Sequence, residues 1–183
     1  MKRFTIGATL LAAALTVTVS AQKTTTLKAG SGGSPHVRSE WMIDGANISV
    51  EYGRPSLKGR TPGKDVDPFE GKEWRTGADE QTTLKTDKTL KFGALTVPPG
   101  TYGLHTIPVK GAWHLIISRR ASGWGIPYPA GQDLGRVPMT MGKTSAPAEQ
   151  LTISADDTPA GGTLHMEWGA TKATAPFTVG QVG

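Results

Sequence analysis

The chain has 183 residues, no cysteine and a formal net charge of +5. Without cysteine, a disulfide framework and catalysis by a thiol are both excluded. The basic residues are scattered and form no run of five or more like charges, which argues against nucleic acid as a partner because nucleic-acid-binding proteins cluster basic residues on one face.

The first 21 residues have the pattern of a secretory signal peptide. Lys2 and Arg3 form a positive n-region, residues 4–19 are largely apolar, and small residues precede a cleavage site after Ala21. The apolar run is shorter than the roughly 20 residues of a transmembrane helix. We therefore expect a protein that is secreted or periplasmic in a bacterial cell envelope, with no membrane span after cleavage.

The remaining chain predicts a short leader and one domain. Residues 22–35 hold one Leu among Thr, Gly and Ser, a composition that predicts a flexible leader. The length of residues 36–183 fits a single domain. Apolar and polar residues alternate there, as in ANISVEY and TLHMEW, which is typical of half-buried strands.

Turn residues separate these strands. The chain contains 24 Gly and 13 Pro, which interrupt it at short intervals, and no long window has helical periodicity. We predict an all-β fold, a single-domain antiparallel β-sandwich with little or no helix after the signal peptide. Strands are expected over residues 46–52, 81–86, 89–92, 101–107, 112–118, 134–141, 149–155, 162–169 and 174–179.

One long loop stands out between two predicted strands. It runs from Gly53 to Glu73 and contains three Pro and several Gly. Loops of this length without regular structure are uncommon in compact domains, and they tend to be functional or disordered. Because the loop leads directly into the polar stretch EWRTGADE, we expect it to be ordered and functional.

The two ends of this loop supply candidate site residues. Tyr52 and Arg54 precede it, and Trp74, Arg75 and Glu80 follow it. In an extended segment Trp74 would point to the core and Arg75 to the rim. Arginine suits bidentate contacts with carboxylates and phosphates. Two interpretations stay open: an internal ion-pair network of Arg54 or Arg75 with Glu80, or a ligand site that uses the same residues.

Two histidines, His105 and His114, are candidates for a metal site. If the hairpin turn is centred on Val109 and Lys110, His105 and His114 lie directly opposite each other. Such a pair could bind a metal ion, but a zinc site needs a third ligand, and the sequence offers none for this pair. We therefore predict no metal and no cofactor.

Other residues offer weaker signals for a site. Asp79 and Glu80 are adjacent acids that could serve calcium binding or glycoside hydrolysis, although paired acids are also ordinary in turns. Trp124 and Tyr128 lie in a Gly/Pro-rich segment and could form an exposed platform for a sugar.

Four motifs resemble a known family: YGRPSLKGR at 52–60, WRTGADE at 74–80, PPGTYGLHTIP at 98–108 and WGIPYPAGQDLGRV at 124–137. The chain resembles, over about residues 34–179, an exported bacterial family known only as domain of unknown function 2911. The resemblance implies a β-sandwich in the envelope or outside the cell, with no established activity. The family usually has Asn where this chain has Asp79, which implies a more acidic pocket here.

The leading hypothesis is a non-enzymatic module that binds a small carbohydrate or carboxylate, or that has a structural role. Its guanidinium groups would hold the ligand, its tyrosines would stack, and Glu80 would orient an arginine. One alternative is a hydrolase that uses Glu80 with Asp79 or His105, in a water-accessible cleft. Another is a protein-interaction module of the envelope, with an exposed apolar patch. The predicted ligand-binding residues are Tyr52, Arg54, Trp74, Arg75, Glu80, Tyr102 and His105.

Overall fold

The computed structural model describes residues 22–180. The predicted signal peptide lies outside this range. Apart from one 3-10 turn at Ser31–Gly33, the described residues contain no helix. Among them there is therefore no helix that is long and apolar enough to cross a membrane. The strands are β1 Lys23–Lys28, β2 His36–Ile43, β3 Ala46–Gly53, β4 Ala78–Thr86, β5 Leu90–Phe92, β6 Leu95–Val97, β7 Gly100–Val109, β8 Ala112–Ser118, β9 Asp133–Pro138, β10 Thr140–Thr158 and β11 Gly161–Val179.

The strands form two antiparallel sheets. One has seven strands in the order β1-β2-β3-β4-β7-β8-β9, and the other has four in the order β10-β11-β5-β6. The predicted antiparallel β-sandwich is therefore confirmed. The largest fully buried side chains come from both sheets, and all of them except Ile116 belong to the core between the sheets: Trp168, Phe92, Ile43, Leu84, Leu90, Leu104, Leu115, Ile116, Ile117, Leu151, Ile153 and Leu164.

Strand β3 shows why the alternating pattern predicts this fold. Its residues Ile48, Val50 and Tyr52 are buried, while Asn47 and Ser49 between them are more exposed. Successive side chains of a strand point to opposite faces. One face can therefore pack into the core while the other meets water.

Three strands were missed by the sequence reasoning. The flexible leader predicted for residues 22–35 is instead strand β1, paired with β2, followed by the 3-10 turn. Every residue of β1 is exposed. Backbone pairing and polar side-chain contacts, such as the 3.1 Å hydrogen bond between the hydroxyls of Thr24 and Ser39, hold it in place, so no apolar alternation is needed. Strand β2 was not predicted because Ser39 is buried among its apolar residues, and a polar residue at a buried position breaks the alternation of apolar and polar residues. Strand β6 has only three residues.

The hairpin of β7 and β8 corrects the predicted histidine pairing. Val109 pairs with Ala112, so His105 faces Ile116 and His114 faces Ile107. The turn is formed by Lys110 and Gly111, both with positive φ, as two-residue hairpin turns favour. The two histidines are therefore diagonal neighbours, and the paired metal site loses its basis.

The long loop between β3 and β4 is fixed to the second sheet. Ser56 forms an isolated bridge with Gln150, and Leu57 is buried in the main core. The Trp168 indole donates a hydrogen bond of 2.9 Å to the Asp67 carbonyl. The loop thus closes one edge of the sandwich and brings its two ends close together.

Candidate functional site

Arg54 holds the two sheets together. Its Nε donates to the Leu151 carbonyl at 3.0 Å and its Nη2 donates to the Thr152 hydroxyl at 2.9 Å. The predicted ion pair between Arg54 and Glu80 is not formed. The guanidinium is thus satisfied by β10, which gives it a structural role.

Tyr52 also has a structural role at this place. Its ring is buried in the core, and its hydroxyl accepts a hydrogen bond of 2.9 Å from the Ile153 amide. Burial raises the pKa of Tyr52, with smaller opposing effects from the Ile153 amide and from Arg54. The phenol is therefore neutral at physiological pH and connects β3 to β10.

Replacing Tyr52 by phenylalanine is expected to lower the free energy of unfolding by about 2 kcal/mol, because a buried amide loses its acceptor. Chemical denaturation followed by tryptophan fluorescence measures the change. Tyr102→Phe is the control, since that half-exposed hydroxyl donates only to the Pro98 carbonyl, and its loss should cost less. Equal losses for the two variants would contradict the role given to Tyr52.

Trp74 and Arg75 point to opposite sides, as the sequence predicts. Trp74 is buried and meets Trp113 edge to face, with ring centroids 6.3 Å apart. Arg75 lies over the Trp124 ring, 4.8 Å from its centroid, and donates to the Trp124 carbonyl at 3.1 Å. Neither arginine at the loop ends forms an ion pair with Glu80.

His105 occupies a buried position in β7. Its ring is fully buried, stands edge to face with Tyr128, and has no hydrogen-bond partner at either nitrogen. Burial lowers the pKa of His105 from 6.5 to about 4. The imidazole is therefore neutral and buried, and it does not line the cleft that Glu80 lines.

Glu80 belongs to a different cluster, formed with His36, Asp79 and Lys28. His36 Nε2 lies 3.0 Å from Asp79 Oδ2 and 3.3 Å from Glu80 Oε2. Glu80 Oε1 accepts a hydrogen bond of 2.6 Å from Lys28 Nζ, and the Ser31 amide donates to Asp79 Oδ2 at 2.8 Å. We call His36, Asp79, Glu80 and Lys28 the His36 cluster.

Strand pairing brings the His36 cluster together. His36 pairs with Gly53, and Gly53 pairs with Ala78, so the two ends of the long loop do meet. A Cβ at Gly53 would lie 2.3 Å from the Ala78 carbonyl oxygen and 3.1 Å from His36 Nε2. Only glycine fits between the imidazole and the start of β4.

The backbone of Asp79 also shapes the cluster. Its φ is 61°, in the left-handed region that Asn and Asp adopt more readily than other residues with a side chain. This turn aims the carboxylate back at His36. It also gives a physical reason for an Asn or an Asp at this position.

Both carboxylates of the cluster are held in the ionised form. Burial would raise the pKa of Asp79, but the hydrogen bonds from Ser31 and His36 together lower it. The hydrogen bond from Lys28 lowers the pKa of Glu80, with a further contribution from the backbone amide of Glu80. The cluster therefore offers negative oxygen atoms beside an imidazole nitrogen.

An open cleft of about 380 Å³ lies above the cluster. The Glu80 side chain is 47% exposed there, whereas that of His36 is 10% exposed at its base. Gln81 is fixed in the wall by a hydrogen bond of 2.8 Å to the Arg120 carbonyl. The lining residues include Leu27, Lys28, His36, Glu51, Tyr52, Glu80, Gln81, Thr83, Ala121, Ser122 and Gly123.

A larger depression, of about 600 Å³, covers the outer face of β2 and β3. Several of its polar groups are paired within the sheet: Arg38 Nε donates to Glu51 at 2.6 Å, and Asn47 Nδ2 donates to Asp87 at 2.6 Å. These pairs are the ordinary polar face of a twisted sheet. The smaller cleft is the better candidate because groups able to bind a ligand converge on it.

The seven predicted ligand-binding residues do not share one cleft. Tyr52 and Glu80 line the same one, and the others serve the core or neighbouring loops. The reasoning from sequence missed His36 and Lys28. The Asp44-Gly45 pair was an available signal, because it is a typical hairpin turn. It fixes the register that sets His36 opposite Gly53.

Comparison with known proteins gives one match. The model of a family described as protein of unknown function (DUF2911) matches residues 34–177, which confirms the resemblance seen in the motifs. No curated protein matches the chain, and no solved structure matches it. The match covers all four motifs and most of the sandwich.

Proposed function

The chain belongs to the family of proteins of unknown function DUF2911, and we propose that it is a secreted, non-enzymatic module that binds a small neutral carbohydrate. The ligand occupies the cleft above the His36 cluster. The observation that carries the proposal is the half-exposed Glu80 carboxylate, which faces this cleft beside the Lys28 ammonium group. Secretion rests on the pattern of residues 1–21, outside the described range.

The cleft suits the hydroxyl groups of a sugar. Lys28 donates hydrogen bonds, Glu80 accepts them, and the hydroxyls of Thr83 and Ser122 do both. These four residues line the cleft from three segments of the chain: β1, β4 and the loop between β8 and β9. A volume of about 380 Å³ lies within the range of small-molecule sites.

Trp124 provides an aromatic surface next to the cleft. It follows Gly123, which lines the cleft, and it is 52% exposed. The Arg75 guanidinium lies over its ring and binds its carbonyl, which fixes the orientation of the indole. An ordered, exposed tryptophan of this kind stacks on sugar rings.

A neutral ligand fits better than the carboxylate that the sequence left open. Glu51 and Glu80 line the cleft and would repel an anion. Arg54, one of the two guanidinium groups expected to hold a carboxylate, is bound to Leu151 and Thr152. Electrostatics therefore favours the carbohydrate.

The test is a binding screen of neutral glycans and small organic acids, followed by calorimetry on any ligand found. Glu80→Ala and Trp124→Ala are each expected to weaken glycan binding at least about tenfold, which corresponds to about 1.4 kcal/mol. Both side chains are substantially exposed, so the free energy of unfolding should change by less than about 1 kcal/mol.

The matched control is Glu167→Ala. Glu167 forms a surface ion pair with Lys172 at 3.1 Å, like the pair of Glu80 with Lys28, but on the second sheet. This variant should bind glycans as the unsubstituted protein does. Binding of organic acids but of no neutral glycan, or equal affinity in all variants, would contradict the proposal.

A hydrolase that uses Glu80 with Asp79 is the second candidate. In its favour, Glu80 is accessible to water and has a second titratable group, His36, 3.3 Å away. Against it, a general acid needs a raised pKa, and the pKa values of both carboxylates are lowered. Release of product from chromogenic glycosides and esters, abolished by Glu80→Gln, would favour this candidate over a binding module.

A further inference from the structure

We propose that His36, Asp79 and Glu80 form a binding site for one divalent transition-metal ion, with Zn²⁺ as the best fit, and that Lys28 is the internal cation that competes for it. The inference goes beyond carbohydrate binding and does not depend on it, because the metal ion alone is the probe. The three side chains come from two neighbouring regions of the first sheet, the start of β2 and the start of β4.

The distances suit a metal ion. One ligand atom from each of the three residues lies within 4.8 Å of the others, and His36 Nε2 is 3.0 and 3.3 Å from the two carboxylate oxygens. Around a tetrahedral ion with bonds of about 2.0–2.2 Å, neighbouring ligand atoms are about 3.3–3.6 Å apart. The Glu80 side chain is half-exposed, so it can make the small movement that brings its carboxylate oxygen to bonding distance of the metal ion.

The mixture of ligand types selects the class of metal. Calcium and magnesium prefer oxygen ligands alone, whereas an imidazole nitrogen with carboxylates suits zinc and similar ions. His36 is buried and supplies that nitrogen, which distinguishes the site from a cluster of surface acids. Three protein ligands leave a fourth position open, on the side where the cleft lies.

The surroundings hold the ligands in place. The Ser31 amide binds Asp79 Oδ2 at 2.8 Å, and partners of this kind orient metal ligands. Glycines give room to the imidazole: a Cβ would lie 3.1 Å from Nε2 at Gly53 and 3.0 Å from Cδ2 at Gly30. The backbone is thus fitted around the nitrogen that would bind the ion.

Lys28 supplies positive charge to one of the two carboxylates, Glu80. Its Nζ lies 2.6 Å from Glu80 Oε1, and its side chain is 55% exposed. It belongs to the edge strand β1, in which every residue is exposed, so the ammonium can move away at little cost. The ammonium group pairs with Glu80, and the carboxylate of Asp79 then leaves negative charge for a divalent ion.

The experiment titrates Zn²⁺ into protein purified without a histidine tag and treated with a chelator. Calorimetry should give one ion per chain. His36→Gln and Glu80→Gln should each weaken Zn²⁺ binding by more than about 100-fold. This loss is larger than the one expected for a residue that only hydrogen-bonds to a metal-binding side chain. Lys28→Met should strengthen binding about tenfold, because the competing charge is gone. Co²⁺ should show visible absorption bands in the unsubstituted protein and lose them in His36→Gln.

The matched control is His165→Gln. His165 Nε2 lies 2.8 Å from Asp156 Oδ2, so it reproduces the histidine–aspartate pair, and within residues 22–180 no third ligand joins it. This variant should bind Zn²⁺ unchanged. The inference is overturned if the unsubstituted protein binds no Zn²⁺, if His36→Gln and Glu80→Gln bind it equally well, or if Lys28→Met weakens binding.

Two further measurements separate the possible failures. Circular dichroism of each metal-free variant shows whether a loss of binding is a loss of folding, and the exposed Glu80→Gln is the variant expected to keep full stability. Glycan binding with and without chelator shows whether the two ligands depend on each other. Glycan binding without Zn²⁺ binding would refute the metal site and leave the carbohydrate proposal standing. Zn²⁺ binding without glycan binding would refute the carbohydrate proposal and leave the metal site standing.

Discussion

Replacing Trp74 by alanine is expected to lower the free energy of unfolding by about 4 kcal/mol. Removing a buried tryptophan loses its transfer energy and leaves a cavity, and such changes cost about 3–5 kcal/mol. Trp74 is 5% exposed and packs edge to face on Trp113. Its backbone is also bonded in both directions to Thr106, so the cavity cannot close by simple movement of the chain.

Urea denaturation followed by far-ultraviolet circular dichroism measures this effect without relying on tryptophan emission. Trp124→Ala is the matched control, because the same residue type is removed from an exposed position, and its cost should stay below about 1 kcal/mol. Similar stability losses for the two variants would show that the segment at 73–80 does not pack as described.

As the pH falls from 6.5 to about 4, protonation linked to His105 is expected to lower the free energy of unfolding by about 3 kcal/mol. Replacing His105 by leucine should remove this loss. The pKa of His105 falls from 6.5 to about 4 because the ring is buried without partners. Between these two values the unfolded chain binds a proton that the native state excludes, so stability is full above pH 6.5 and is lost as the pH falls towards 4. Each pH unit is worth about 1.4 kcal/mol.

The measurement is the free energy of unfolding of both proteins at several pH values between 4 and 7. Carboxylates titrate alike in the two proteins, so the difference between the curves isolates His105. Ile116→Val is the control, because Ile116 faces His105 across the hairpin and does not titrate. It should lower stability by about 1 kcal/mol equally at every pH. Parallel curves for His105→Leu would mean that the native protein accepts the proton.

Local patterns fixed the fold class and the facing of individual side chains. Alternation along β3 is enough to predict which of its residues are buried, because a strand places successive side chains on opposite faces. The same rule assigned Trp74 to the core and Arg75 to the outside. Both conclusions depend on neighbours in sequence, which is the information that a sequence states directly.

Distant partners required the tertiary structure. Arg54 carries the same charge whether it binds Glu80 or Leu151, and only the approach of β10 decided for Leu151. For the hairpin of β7 and β8, a turn placed one residue further along the chain changed the partner of His105 from His114 to Ile116. Strand register is set by turn geometry and by the packing of both faces together, so small local errors move every contact.

Most of the candidate site depends on partners that are distant in sequence. The motif that holds Asp79 and Glu80 was recognised as polar and adjacent to a long loop. Their partners, Lys28 and His36, lie more than forty residues earlier, in a stretch without a strong pattern. Sequence by itself determined a β-sandwich and one half of the site. The fold decided the other half, because backbone pairing of β1, β2 and β3 needs no side-chain signal to bring distant groups together.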